Sequence, residues 1–225
     1  MPRHVVRLNF DFISSYSYLA LTQAESFGER HRIDWQVRPV LYGAILDATG
    51  LVGPAEEASK RQYTARDIIR AADQLGVPLI GPPAHPFNPL MALRAVCLYQ
   101  DHPHALQLAV KLADRCWGQG LPLTEHAVLE DALKATALDD VDLATRITAP
   151  TTKARLKANT AQALAAGVFG VPTFLWQGEI FWGHDRMSPL ADRLEGRLDS
   201  PEPRAQAWVA RPRDAERSSS PWPKS

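Results

Sequence analysis

The chain has 225 residues, 45% hydrophobic and 22% charged, enough for one sizeable core or one domain carrying a large insertion. Lysine plus arginine balances aspartate plus glutamate at 25 each, so no basic surface points to nucleic acid, and no apolar run approaches a membrane span. The start, Met-Pro-Arg-His, runs straight into a strand pattern and leaves no room for a signal peptide.

Val6, Leu8, Phe10 and Phe12 alternate with Arg7, Asn9 and Asp11, the period of a half-buried strand. Tyr16, Leu19, Ala20, Gln23 and Phe27 then fall at helical spacing, so Ser14 and Ser15 sit where a strand turns into a helix. Ile33, Trp35 and Val37 alternate again before Pro39 ends the run. Strand, helix and strand in so short a span make a βαβ unit with parallel strands.

From residue 41 to 166 the pattern is helical. Residues 41–58, with Gly43, Gly50, Gly53 and Pro54, read as a loop or broken helix. A helix over 59–75 places Ala65, Ile68, Ile69, Ala72 and Leu75 at core spacing and stops at Gly76 and Pro78. Residues 82–89 form a rigid loop. Asn88 and Pro89 open a helix to about 100, and others span 103–117, 124–137, 140–148 and 153–166. Cys97 and Cys116 are too far apart for a redox dithiol motif. They fall on apolar helical faces and read as buried small hydrophobes, which suits a reducing cytoplasm.

Residues 173–176 and 179–182 then flank Gln177-Gly178, a tight hairpin turn. Asp185 caps a last helix through about 197, and residues 199–225, rich in Pro, Arg and Ser, read as a disordered tail. The order βαβ, helices, ββα predicts an α/β fold: one sheet domain of residues 1–40 and 167–198, interrupted by an all-helical insertion over 41–166. The insertion must pack back over the first strand–helix turn, leaving a cleft for a ligand.

Three segments bear chemistry. Ser14 and Ser15 lie at a helix N-terminus, where free N–H groups and the macrodipole favour an anion; both equally suit plain N-capping. Val171-Pro172 opens a strand. In Trp182-Gly183-His184-Asp185-Arg186, backbone N–H groups and Asp185 suit a zwitterion, or Asp185 is only a cap. No Gly-x-Ser-x-Gly elbow is present, which excludes the usual serine-hydrolase arrangement.

The runs from Phe10 to Ala20, His85-Pro86-Phe87-Asn88-Pro89, Leu93-Arg94, Gly167 to Phe174 and Trp182 to Arg186 resemble 2-hydroxychromene-2-carboxylate isomerases. That family belongs with the kappa-class glutathione transferases, in the DsbA-like branch of the thioredoxin superfamily. The resemblance covers about residues 4–197. It implies a thioredoxin-like fold with a cis bond before Pro172, and Ser14-Ser15-Tyr16-Ser17 standing where a Cys-x-x-Cys usually is.

It further implies glutathione as cofactor, held by Ser14, Ser15, Tyr16, Val171, Pro172, His184 and Asp185, with Ser14 touching the sulfur. A small aromatic carboxylate is the implied substrate, facing Asn88 with Lys60 or Arg94 as further candidates. Asn88 serves equally as a helix cap, and Lys60 and Arg94 as solvated helix residues. No metal is implied. The resemblance also implies a homodimer.

The chain departs from the family at Ser15, usually proline, at Leu51, often asparagine, and at His184, commonly asparagine or serine. A kappa-like transferase or peroxidase and a non-catalytic glutathione- or peptide-binding module are the alternatives. A disulfide oxidoreductase is disfavoured because positions 14 and 17 lack thiols.

Overall fold

A computed structural model describes residues 3–138 and 141–212. β1 (His4–Phe10) leads through a short turn into α1 (Ser15–Arg30) and β2 (Ile33–Pro39). β1 and β2 pair in parallel from His4↔Ile33 to Phe10↔Pro39, as a βαβ crossover requires. β3 (Thr173–Trp176) pairs antiparallel with β1, and β4 (Glu179–Trp182) with β3, giving the order β2-β1-β3-β4. Gln177 and Gly178 both have positive φ, 50° and 84°, as a primed two-residue hairpin turn needs. Val171–Pro172 is cis, as the family resemblance implied; His85–Pro86 is cis as well.

Between the halves lie α2 (Tyr42–Thr49), α3 (Ala58–Leu75), α4 (Leu90–Tyr99) and α5 (Ala105–Ala113). A π-helical turn, Asp114–Gly118, follows α5, and α6 (His126–Lys134), α7 (Leu143–Thr148) and α8 (Pro150–Ala165) complete the block. A 3-10 turn, His184–Arg186, then precedes α9 (Met187–Leu194) and α10 (Glu202–Val209). Val6, Leu8, Phe10 and Phe12 of the sheet share one core with Leu93, Leu108, Leu112 and Leu129 of the helices. A smaller cluster of Val40, Ile45, Ala163, Val168 and Val171 joins the ends of β2 and β3 to α2 and α8.

Several expectations change. β1 is not half-buried at its end: Asn9 is buried and its Nδ2 donates to the Thr173 carbonyl, because β1 is central in the sheet. The 41–58 stretch holds a regular helix, α2, ended by Gly50 in the left-handed region. On α3, Ala72 is buried but Ala65 and Ile69 face solvent, Ile69 at 53%; helical spacing names a face without showing that anything covers it. Residues 202–209, read as disordered tail, form α10, which proline at its start and Ala205, Gln206 and Ala207 favour, although every residue is exposed. The rest of that expectation, 213–225, lies outside the described residues.

Candidate functional site

Ser14 is the N-cap of α1, with extended φ/ψ of −91° and 116°. Its Oγ accepts from the Ser17 N–H at 3.2 Å and donates to the Val171 carbonyl at 3.3 Å. The cap reading and the meeting with the cis-proline strand are therefore both present at one hydroxyl. Ser15 is buried in the first turn. Ser17 is fully buried, and its Oγ has no hydrogen-bond partner among the described residues. Neither Cys97 nor Cys116 reaches this turn as a reactive thiol: both are free and buried, and burial pushes each up to about 12.

The turn is gripped from every side. The Asp11 carboxylate accepts from Ile13 N–H at 3.0 Å and Tyr42 N–H at 2.9 Å, which ties the turn to the start of α2. Asp11 is wholly buried, and burial raises it from 3.8 to about 7 despite those bonds. The Asp11 carbonyl takes the Ser14 N–H. From the helical block, Trp117 Nε1 donates to the Phe12 carbonyl at 2.8 Å, and His85 Nε2 lies 2.9 Å from the Ile13 carbonyl. The π-helical turn that carries Trp117 also takes the Ile80 and Gly81 N–H groups on the Trp117 carbonyl. None of Asp11, Trp117 or His85 was assigned a role from sequence. The polar Asp11 between Phe10 and Phe12 was the one local signal; the other two are contacts across 105 and 72 residues.

Tyr16 and His184 come together. Their rings stack at 5.4 Å and 7°, and Tyr16 Oη donates to Asp67 Oδ2 at 2.7 Å. Burial and the Asp67 carboxylate raise the phenol above its ordinary range, while burial lowers His184 below 6.5 against the pull of Asp185 and Asp67. Asp67 is a further polar residue that sequence reasoning missed. It links α3 to the first turn of α1.

Asp185 does not cap the last helix. α9 starts two residues later with no side-chain cap, and Asp185 Oδ2 instead meets Arg186 Nη1 at 3.1 Å, with both side chains about half exposed. Gly183 makes the turn possible: its φ is 111°, and an added Cβ would meet Asp185 Oδ1.

The substrate candidates separate. Asn88 Oδ1 accepts from Leu90 N–H at 3.0 Å, the capping contact; the helix starts at Leu90, and Pro89 holds the N-cap position instead of the first helical one. Lys60 is exposed and lines a cavity of about 350 Å³ with Pro54, Ser59, Tyr63 and Thr64. Thr64 and Tyr63 also act on the Tyr16 hydroxyl, so this cavity borders the site. Arg94 is half-buried, its Nε has no hydrogen-bond partner among the described residues, and its electrostatic neighbour is Cys97. Leu51, where the family often has a polar residue, is 49% exposed. A larger groove of about 700 Å³, walled by Arg3, Glu25, Trp35, Arg38 and Asp101, shares no residue with the site; its mixed charges aim at no one ligand chemistry. No group of metal-ligating side chains occurs among the described residues, and no helix there is long and apolar enough to cross a membrane.

Around the turn stand a hydroxyl at a helix N-terminus, a strand-end carbonyl and the half-exposed Asp185 carboxylate. Among related proteins, the 2-hydroxychromene-2-carboxylate isomerase of Sphingobium xenophagum is 28% identical over 187 residues, 82% of this chain and 95% of its own. Glutathione S-transferase kappa 1 of Homo sapiens is 29% identical over 221 residues, 91% of this chain and 96% of its own. A solved 2-hydroxychromene-2-carboxylate isomerase matches the fold with a TM-score of 0.79 at 22% identity, covering 92% of this chain and all of that one. A cytosolic disulfide reductase, DsbM of Pseudomonas aeruginosa, solved with GSH, has a TM-score of 0.59 at 14% identity over 86% of this chain and all of its own. The family model for the DSBA-like thioredoxin domain matches residues 5–195, and the chain belongs to that family.

Proposed function

We propose that this protein is a glutathione-dependent isomerase of 2-hydroxychromene-2-carboxylate, yielding trans-o-hydroxybenzylidenepyruvate in aromatic breakdown. The observation that carries the reading is the Ser14 hydroxyl, held at the α1 N-terminus and 3.3 Å from the carbonyl before a cis proline, in a turn with no cysteine. Bound glutathione would supply a thiolate whose reversible addition to a conjugated carbon makes a double bond single long enough to rotate.

The residues' part can be weighed. A free thiol titrates near 8.5, and lowering it by about two units takes roughly 2.7 kcal/mol. A charge-assisted hydrogen bond contributes about 1.5–3 kcal/mol and a helix N-terminus about 0.3–1 kcal/mol, which suffices. To donate to sulfur, Ser14 Oγ turns from the Val171 carbonyl, and that carbonyl becomes available to a ligand amide. Ser14 thus stabilises an anion and need not form a covalent bond. Val171 and Pro172 align the cysteinyl portion, and Ser15 and Tyr16 shape the turn. His184 and Asp185 face the γ-glutamyl end, where Asp185 exchanges Arg186 for an ammonium. Lys60, which lines the cavity with Tyr63 and Thr64, and Asn88 are candidates for the substrate carboxylate. A homodimer and a cytoplasmic setting belong to the same reading.

Incubation with 2-hydroxychromene-2-carboxylate, with and without glutathione, followed by absorbance, tests it. Conversion that requires glutathione and leaves it unconsumed supports the isomerase; conversion indifferent to glutathione ends this reading. The match to glutathione S-transferase kappa 1 over 221 residues favours a second reading, transfer to other electrophiles. Release of a glutathione conjugate instead of its recycling would select that one.

A further inference from the structure

We propose that His85 is a proton acceptor of this site, taking the hydroxyl proton of the cyclic hemiketal so that the substrate ring opens. The inference rests on the isomerase reading above. His85 Nε2 lies 2.9 Å from the Ile13 carbonyl, one residue before Ser14. A carbonyl only accepts, so Nε2 carries the proton. In the neutral ring Nδ1 therefore keeps its lone pair. The residue is exposed, and its ring meets Trp117 at 5.6 Å and Phe87 at 6.4 Å, both uncharged. The imidazole is thus held in one tautomer at the edge of the Ser14 turn, and among the described residues Nδ1 has no hydrogen-bond partner.

The other acid–base groups around the turn are engaged. Asp11 is wholly buried and holds two backbone N–H groups. Asp67 takes the Tyr16 hydroxyl, Asp185 pairs with Arg186, and His184 lies flat on Tyr16 at the proposed γ-glutamyl end. Ring opening needs a base. Nδ1 takes the proton, the O–H electron pair forms the ketone C=O, and the ring C–O bond breaks with its pair leaving on the phenolate oxygen. The imidazolium then returns the proton to the phenolate, so nothing is consumed, and the step needs no thiol.

That independence supplies the test. Exchange between closed hemiketal and open enone is followed by magnetisation-transfer NMR, with wild-type protein and no glutathione, then with His85→Gln, which keeps a donor for Ile13 but has no base. Wild type is expected to speed exchange, and His85→Gln to lose about 10²-fold or more of that gain, while binding glutathione with an unchanged dissociation constant. His85→Ala should recover exchange in proportion to added imidazole, which a merely structural histidine would not show. Equal exchange in wild type and His85→Gln, loss in His184→Gln instead, or no acceleration by wild type each overturns the proposal. Glutathione-dependent conversion in wild type that survives any of those results would show that the isomerase reading stands without His85. Exchange acceleration without any glutathione-dependent conversion would show the reverse.

Discussion

The two helix starts that face each other across the site are built in opposite ways. At α1 the cap is complete before any ligand arrives: Ser14 Oγ takes the Ser17 N–H, and Asp11, Trp117 and His85 hold the backbone leading into it. At the His184–Arg186 turn no side chain caps α9, and Asp185 is half-exposed and pairs with its neighbour Arg186. An exposed pair of this kind contributes little to stability. The fold has therefore invested in the exact placement of one hydroxyl and left a carboxylate ready to change partners. Preorganisation matters where charge must be stabilised at one point; a replaceable ion pair suits recognition of a charged end group.

The largest effect should come from breaking the rigid side. Ser14→Ala removes both the donor and the cap. Turnover with glutathione is expected to fall about 10²- to 10³-fold, the scale of losing one electrostatic donor, and the ultraviolet thiolate band of bound glutathione should weaken. Stopped-flow absorbance and a glutathione difference spectrum measure these two. Unchanged turnover would remove Ser14 from its role.

How far the two starts were legible from sequence follows from the range of the contacts that make them. The β1–α1 turn and the Gln177-Gly178 hairpin rest on neighbours in sequence, and period and turn chemistry expose them. The cis Val171–Pro172 bond was reached only through family resemblance, since most such bonds are trans. Trp117 and His85 grip the turn from 105 and 72 residues away, and no local pattern announces such a contact. The same limit produced the errors: α3 has an apolar face, but Ile69 stays exposed because nothing described packs on it, and Asp185 looked like a cap because the 3-10 turn that displaces α9 has no sequence period.

A second effect concerns what the rigid side costs. Asp11 is raised to about 7 by burial, so the folded state takes up a proton that the unfolded chain, near 3.8, releases. The stabilising contribution of the protonated form is full below about 3.8 and is lost as pH rises through about 7. Between pH 5 and 8 this amounts to at most about 2.6 kcal/mol. Urea unfolding of wild type and Asp11→Asn at both pH values should show a steeper loss of stability with pH in wild type. Parallel slopes would show that Asp11 titrates alike in both states.

The open side predicts a different signature. Asp185→Ala should raise the glutathione dissociation constant about 10-fold, or ~1.4 kcal/mol, and leave thermal unfolding within about 0.5 kcal/mol of wild type. Calorimetric titration beside a melting curve separates the two. An unaltered titration would mean that Asp185 belongs to Arg186 alone.

The smallest effect should lie where the two sides touch. Tyr16 belongs to the first turn of α1, yet its ring stacks on His184 and its hydroxyl is bound by Asp67 of α3. Tyr16→Phe keeps the stack and deletes one hydrogen bond of about 1–1.5 kcal/mol. If the bond steadies His184 against the glutathione end, the variant should raise KM for glutathione about three- to fivefold and leave kcat within twofold, because the Ser14 turn has its own supports. Asp67→Ala, which removes the acceptor, should do the same, and the double variant should add little, since both single changes break the same contact. Additive losses would mean that Asp67 acts on the ligand directly and not through Tyr16, and the boundary between the rigid and open halves of the site would move onto α3.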